Sequence, residues 1–209
     1  TSSDARVTRT PSQPCAADRA ARPRPFDCPA VALSRHSTLR HVIQAVSSSL
    51  RRHRVQAVLT GGACASLHSK GDYLSHDLDY IIRNNVSRNQ VDQAMRAVGF
   101  TRAGAEYRHA DVEFFVEFPK GPVAIGDDDL VEPVEIRVGS VKVLTLSATD
   151  SCRDRLSAFY HWNDLQSLRV AAAIANRRPV NIEAIRAWSI KEGRATEFRQ
   201  FEREIALGR

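Results

Sequence analysis

The sequence predicts an α/β protein: a sheet of mixed strands flanked by helices over about 38–146, then a helical region over 147–209. Three observations carry this. Short apolar runs with strand-like alternation are interleaved with helical-period segments up to about residue 146. After Thr149 only the helical period recurs. Of the 209 residues, 43% are apolar and 26% charged. That balance is ordinary for a globular chain and excludes wholesale disorder, collagen and a small disulfide scaffold.

The elements follow in order. Residues 1–37 hold five prolines and six arginines without a sustained period, and read as a basic tail with little stable structure. The tail has no apolar segment of the secretory type. Leu39, Val42, Ile43, Val46 and Leu50 share one helical face, with Ser37 or Thr38 as cap. Val55–Thr60 is a strand stopped by Gly61-Gly62, and Ala63–Ser69 opens a helix of small residues. Asp77–Ile82 is a second strand. Asn89–Val98 is a helix ended by Gly99. Strands are expected near Thr101–Arg108 and over Val112–Phe118, and Val134–Val138 and Val141–Leu144 pair around Gly139-Ser140. Helices follow at about 149–162, 164–176, 181–192 and 196–206, with Asn181 and Thr196 as N-caps.

Charge is unevenly placed. Residues 1–54 hold 10 Lys/Arg against 3 Asp/Glu, residues 55–150 hold 9 against 14, and residues 151–209 hold 11 against 7. An acidic middle between basic flanks suits either a basic arm on an ordinary domain or a metal-dependent site acting on a polyanion. No apolar run reaches the roughly 18 residues of a membrane-spanning helix, so no membrane partner is expected. Cys15, Cys28, Cys64 and Cys152 lack metal-type spacing and read as thiols of a reducing compartment, which makes a cytoplasmic location the expectation. Cys64 and Cys152 read as buried.

The chemistry concentrates between Val58 and Ile82. Gly61-Gly62, between a strand and a helix, lets backbone approach a ligand because no Cβ intrudes. The helix start beyond it offers free N–H groups to an anion such as phosphate. Asp77 and Asp79, at i and i+2 on a strand, point to one face. Two adjacent carboxylates among Leu78, Tyr80, Ile81 and Ile82 repel each other, and either stand in water at a strand end or are offset by a cation. On the later strand, Asp111, Glu113, Phe115 and Glu117 share one face, while Val112, Phe114, Val116 and Phe118 turn to the core. Glu117 is the favoured third carboxylate and Glu113 the runner-up; both also fit solvated strand positions. Asp127-Asp128-Asp129 reads as a solvated turn outside the site. His161 and Trp162 read as packing residues at a helix end.

The order strand, Gly61-Gly62, helix, loop with Ser75, strand with Asp77-Leu78-Asp79 resembles the nucleotidyltransferase superfamily, the minimal polymerase-beta-like fold. The Ser75-x-Asp77-Leu78-Asp79 form resembles its AbiEii-like branch, which includes toxin-type enzymes. The gap from Gly62 to Asp77 is slightly longer than usual, and Glu117 stands where Asp is common. The resemblance, over about residues 39–165, implies a nucleotidyltransferase-like sheet. It also implies phosphates of an NTP on Gly61, Gly62 and Ser75, with Mg²⁺ or Mn²⁺ on Asp77, Asp79 and a third carboxylate. Arg155 takes the position of the family's Lys, and Asp164 that of a later Asp facing the cleft. The implied reaction moves a nucleoside monophosphate to an acceptor hydroxyl of RNA (tRNA included), a protein or a small molecule. An antitoxin partner would be inherited from the same resemblance. The alternative is a catalytically incomplete nucleotide- or nucleic-acid-binding module of this fold.

Overall fold

A computed structural model describes residues 32–128 and 131–208. Most of the predicted tail, with Cys15 and Cys28, and also Asp129, lie outside the described residues. The first helix, α1 (Leu39–Arg52), is capped by Thr38, whose hydroxyl accepts the His41 N–H while His41 Nδ1 accepts the Thr38 N–H. Leu39, Val42, Ile43, Val46 and Leu50 are all buried, as their spacing predicts. Next come β1 (Ala57–Thr60), α2 (Gly61–His68), β2 (Asp77–Ile82), α3 (Arg88–Arg96), β3 (Phe100–Ala103) and β4 (Glu106–His109). They are followed by β5 (Phe115–Glu117), β6 (Val134–Val138), β7 (Val141–Thr145) and the helices α4 (Ala148–Trp162), α5 (Leu165–Arg177), α6 (Ile182–Lys191) and α7 (Ala195–Leu207).

The strands form one seven-stranded mixed sheet in the order β3-β4-β5-β2-β1-β7-β6. At its centre β2 runs antiparallel to β1 and parallel to β5, and β1 runs parallel to β7. Parallel pairs require crossovers, and the helices supply them. Leu78 and Tyr80 turn to one face, where Ser47 of α1 meets the Tyr80 hydroxyl at 2.8 Å. The Ser49 hydroxyl then donates to the Ala94 carbonyl and ties α1 to α3. The other face carries Asp77 and Asp79 and looks toward α2 and α4. A single apolar cluster runs from α1 through the sheet into α4–α7, with Leu156, Ile174, Ile185 and Phe201 fully buried. No described helix is long and apolar enough to cross a membrane.

Four expectations need correction. The Gly61-Gly62 pair does not stop β1 ahead of a helix; it is the first turn of α2, entered through a left-handed Gly61 (φ 61°). The stretch 101–108 is a hairpin, because Gly104 (φ 69°) reverses the chain between β3 and β4. The strand expected at 112–118 is paired only over 115–117: the Asp111 N–H donates to His109 Nδ1 and the chain joins the ladder later. Thr196 does not cap α7. Gly193, at φ 71°, swings the chain into the helix earlier, so Arg194 is the N-cap. The Thr196 hydroxyl accepts from Arg199 instead. Asn181 caps α6 as expected.

Candidate active site

Asp77 and Asp79 stand on one face of β2, with Leu78 and Tyr80 buried between and beyond them. Parallel register sets Asp79 beside Glu117 of β5 and Leu78 beside Val116, at the roughly 4.8 Å spacing of neighbouring strands. The three carboxylates therefore share a face. Glu113 is exposed and outside the strand, so the runner-up does not join them. Antiparallel register extends the acidic row to Glu106 of β4, opposite Glu117. Glu106 is paired with Arg108, whose guanidinium also lies 5.1 Å from the Phe115 ring. That contact covers the apolar residue that interrupts the acidic face.

The glycine turn meets this face directly. A Cβ added to Gly61 would fall onto the Asp79 carboxylate, and one added to Gly62 would fall onto the Ser75 hydroxyl, with the Tyr73 hydroxyl 3.1 Å away. The turn is thus a cradle that side chains would fill. Its geometry is tied to the following loop: the Ser75 N–H donates to Ser66 Oγ at 3.1 Å, and Ser66 Oγ donates to the Gly62 carbonyl at 3.0 Å. The buried Ser75 hydroxyl donates in turn to Asp77 Oδ1. His76 stacks on Phe114, and its carbonyl accepts the Phe115 N–H, which fixes β5 against the same loop.

Electrostatics mark Asp79. Its carboxyl is pushed up from 3.8 to about 6, first by burial and then by the charges of Asp77, Glu117 and Asp154, with Arg155 opposing them. Asp154 is a carboxylate that the sequence reading passed over. An Asp between two arginines on a helix reads as a solvated pair, and only the packing of α4 against α2 brings it to the site. Asp154 and Arg155 are half-buried and bonded to each other at 2.7 Å. Arg155 is therefore not a surface cation: it is bonded to Asp154, and the charges of both reach Asp79. Asp164 lies close enough to Arg155 to feel its charge, but its oxygens face α5. They accept the Gln166 and Ser167 N–H groups and the Ser167 hydroxyl, so Asp164 is the N-cap of that helix.

The other expectations divide. Cys64 and Cys152 are buried thiols, and burial raises both. His161 and Trp162 are exposed, Trp162 at 77%, so they do not pack in the core: α4 ends at the left-handed Asn163 before its last residues reach a neighbour. Asp128 is no freely solvated turn residue, because the Arg153 guanidinium holds it.

The donor set is all oxygen, the chemistry of a hard cation. Among the described residues, no group of three or more His, Cys, Asp or Glu side chains is already arranged to hold a metal ion. Asp77 is turned to Ser75 and Glu117 sits one strand away. Two carboxylates beside the glycine turn nonetheless fit Mg²⁺, which takes one or two carboxylates and completes its shell with other oxygens and water.

A pH dependence follows from the raised Asp79 carboxyl. Its folded value lies above its unfolded one, so the protonated form favours the fold. That contribution is full below about 4 and is lost as pH rises through about 6. Metal-free protein is expected to melt at a lower temperature at pH 7.5 than at pH 5. Scanning calorimetry on wild type and Asp79→Asn tests this: the wild type should lose more over that range than the variant.

No family model matches the chain, and no curated protein matches it. Among solved structures, an antigenic nucleotidyltransferase-like protein from Paracoccidioides brasiliensis is similar, with a TM-score of 0.49 and 16% identity over 65% of this chain and 74% of that one.

Proposed function

We propose that the protein is a metal-dependent nucleotidyltransferase that moves a nucleoside monophosphate from an NTP to an acceptor hydroxyl. The observation that carries the reading is the contact between the two motifs: Gly61 lies against the Asp79 carboxylate, with Asp77 on the same strand and Glu117 on the next. A lone Asp-x-Asp or a lone Gly-Gly is common; their convergence on one buried face is what nucleotidyl transfer requires.

In this reading the N–H groups at the start of α2 and the Ser75 hydroxyl bind the triphosphate. Arg155, with a fork of donors, steadies its outer phosphates. Asp77 and Asp79 would hold Mg²⁺ or Mn²⁺. When bound there, the cation would offset charge on the α-phosphate and on the leaving pyrophosphate. Glu117 accepts the proton of the acceptor hydroxyl as its oxygen attacks the α-phosphorus in line. A new P–O bond forms, the bond to the β-phosphate oxygen breaks, and pyrophosphate leaves. Positioning and electrostatics supply most of the effect.

One observation favours a second reading, a binding module that holds nucleotide without turnover: no three-ligand metal group is preassembled among the described residues. Titration calorimetry with Mg²⁺ and each NTP, paired with transfer of α-labelled nucleotide to bulk RNA, protein and small-molecule acceptors, separates the two. Binding with transfer supports the enzyme, binding alone supports the module, and absence of binding overturns both.

A further inference from the structure

Beside the glycine turn runs a groove of different chemistry. One cavity of about 340 Å³ is bounded by Arg40, Lys70 and Arg178, with Leu39, Leu67 and Leu74 as apolar wall and Tyr73 at the end nearest Gly62. A second cavity of about 370 Å³ shares Arg40, Leu67 and Arg178 and continues to Arg137. The two form one track along the C-terminal end of α2.

Some arginines of the chain meet carboxylates: Arg153 meets Asp128 and Asp150, Arg177 meets Asp72, and Arg186 meets Glu183 and Glu202. Among the described residues, Arg40, Lys70, Arg137 and Arg178 have no ion-pair partner. Arg178 goes further. One terminal nitrogen donates to the Leu67 carbonyl at 3.4 Å, while its Nε is buried with no partner at all. Four like charges along one groove repel each other, and a donor withdrawn from water without an acceptor is costly. A ligand bringing several anionic oxygens at intervals offsets the repulsion among the cations.

We infer that this groove binds the phosphates of a single-stranded nucleic acid. A compact anion would occupy one end of a track whose cations extend over two cavities. A duplex presents no free base faces for the apolar wall, whereas a single strand turns its bases toward such surfaces. Tyr73 and the half-exposed Leu74 supply that wall beside the cations. The inference stands on the groove alone and holds whether or not the carboxylates transfer a nucleotide. If they do, Tyr73 marks the end at which a bound strand meets the glycine turn.

The test is fluorescence anisotropy of a labelled single strand of about 20 nucleotides, as RNA and as DNA, on the full chain without metal or NTP. Lys70→Gln with Arg137→Gln changes two exposed side chains and leaves the fold intact. This pair is expected to weaken binding by about tenfold and to lower the slope of log affinity against log salt by about 0.7 per cation removed. Arg178→Gln should weaken it further, with circular dichroism confirming its fold. Arg203→Gln, an exposed cation on α7, should leave affinity unchanged. Unaltered binding by the Lys70/Arg137 pair, an equal loss in the Arg203 variant, or tighter binding of duplex than of single strand overturns the inference. Calorimetry with Mg²⁺ and NTP on the same variants should be unaffected, so a failed groove and a failed nucleotide site give different results.

Discussion

Asp79→Asn is expected to abolish the proposed nucleotidyl transfer and at the same time to raise the melting temperature at pH 7.5. Both halves follow from one position. The carboxylate is buried against the glycine turn among Asp77, Glu117 and Asp154, and its ionisation is opposed by all of them. An amide keeps the shape and removes the repulsion, so the metal-free fold gains. It also removes the proposed cation ligand, at an expected cost to the transition state of about 4 kcal/mol, which is roughly a thousandfold in rate. Label transfer and scanning calorimetry on one preparation measure both. A structural carboxylate would behave oppositely, with stability lost and any activity retained. Asp77→Asn should lose transfer by a similar factor with a smaller gain in stability, since the Ser75 hydroxyl already stabilises that charge.

The second large effect is Gly61→Ala. Gly61 has φ 61°, which costs a residue with a Cβ about 1–2 kcal/mol, and the new methyl would fall onto the Asp79 carboxylate. The expected loss is about 2–4 kcal/mol of stability, with nucleotide binding gone even where the protein folds. Gly104→Ala is the matched control. It has φ 69° and open space around the position of a Cβ, so it should show the backbone cost of about 1 kcal/mol and nothing else. Urea denaturation of both variants isolates the collision from the strain. Equal losses would mean that the carboxylate can move away, and the cradle would then be less rigid than its geometry implies.

Much of the site was legible because burial alternates with a period of two. Buried Leu78 and Tyr80 put Asp77 and Asp79 on the other face without reference to anything distant, and the same alternation gave Glu117 its direction. Depth along the strand then favoured Glu117 over Glu113, and the register sets Glu117 beside Asp79. What sequence could not supply was proximity between elements far apart in the chain. Asp154 joins Asp79 only through the packing of α4, and Glu106 reaches Glu117 only through a hairpin that Gly104 creates. Asp164 illustrates a different limit: the family resemblance implied a cleft residue, yet two backbone N–H groups at the start of α5 claim it. Trp162 was read as packing on aromatic character alone, and nothing local announced that α4 would end before covering it.

The serine relay of Ser66 and Ser75 has an engineering consequence. It staples the two roots of the excursion over residues 69–74, whose crown at Lys70, Gly71 and Asp72 is exposed and where Gly71 meets nothing within 4 Å. Extra length inserted at that crown is borne by the staple and not by β2. A foreign recognition peptide spliced there would change what the molecule grips while leaving Asp77 in place.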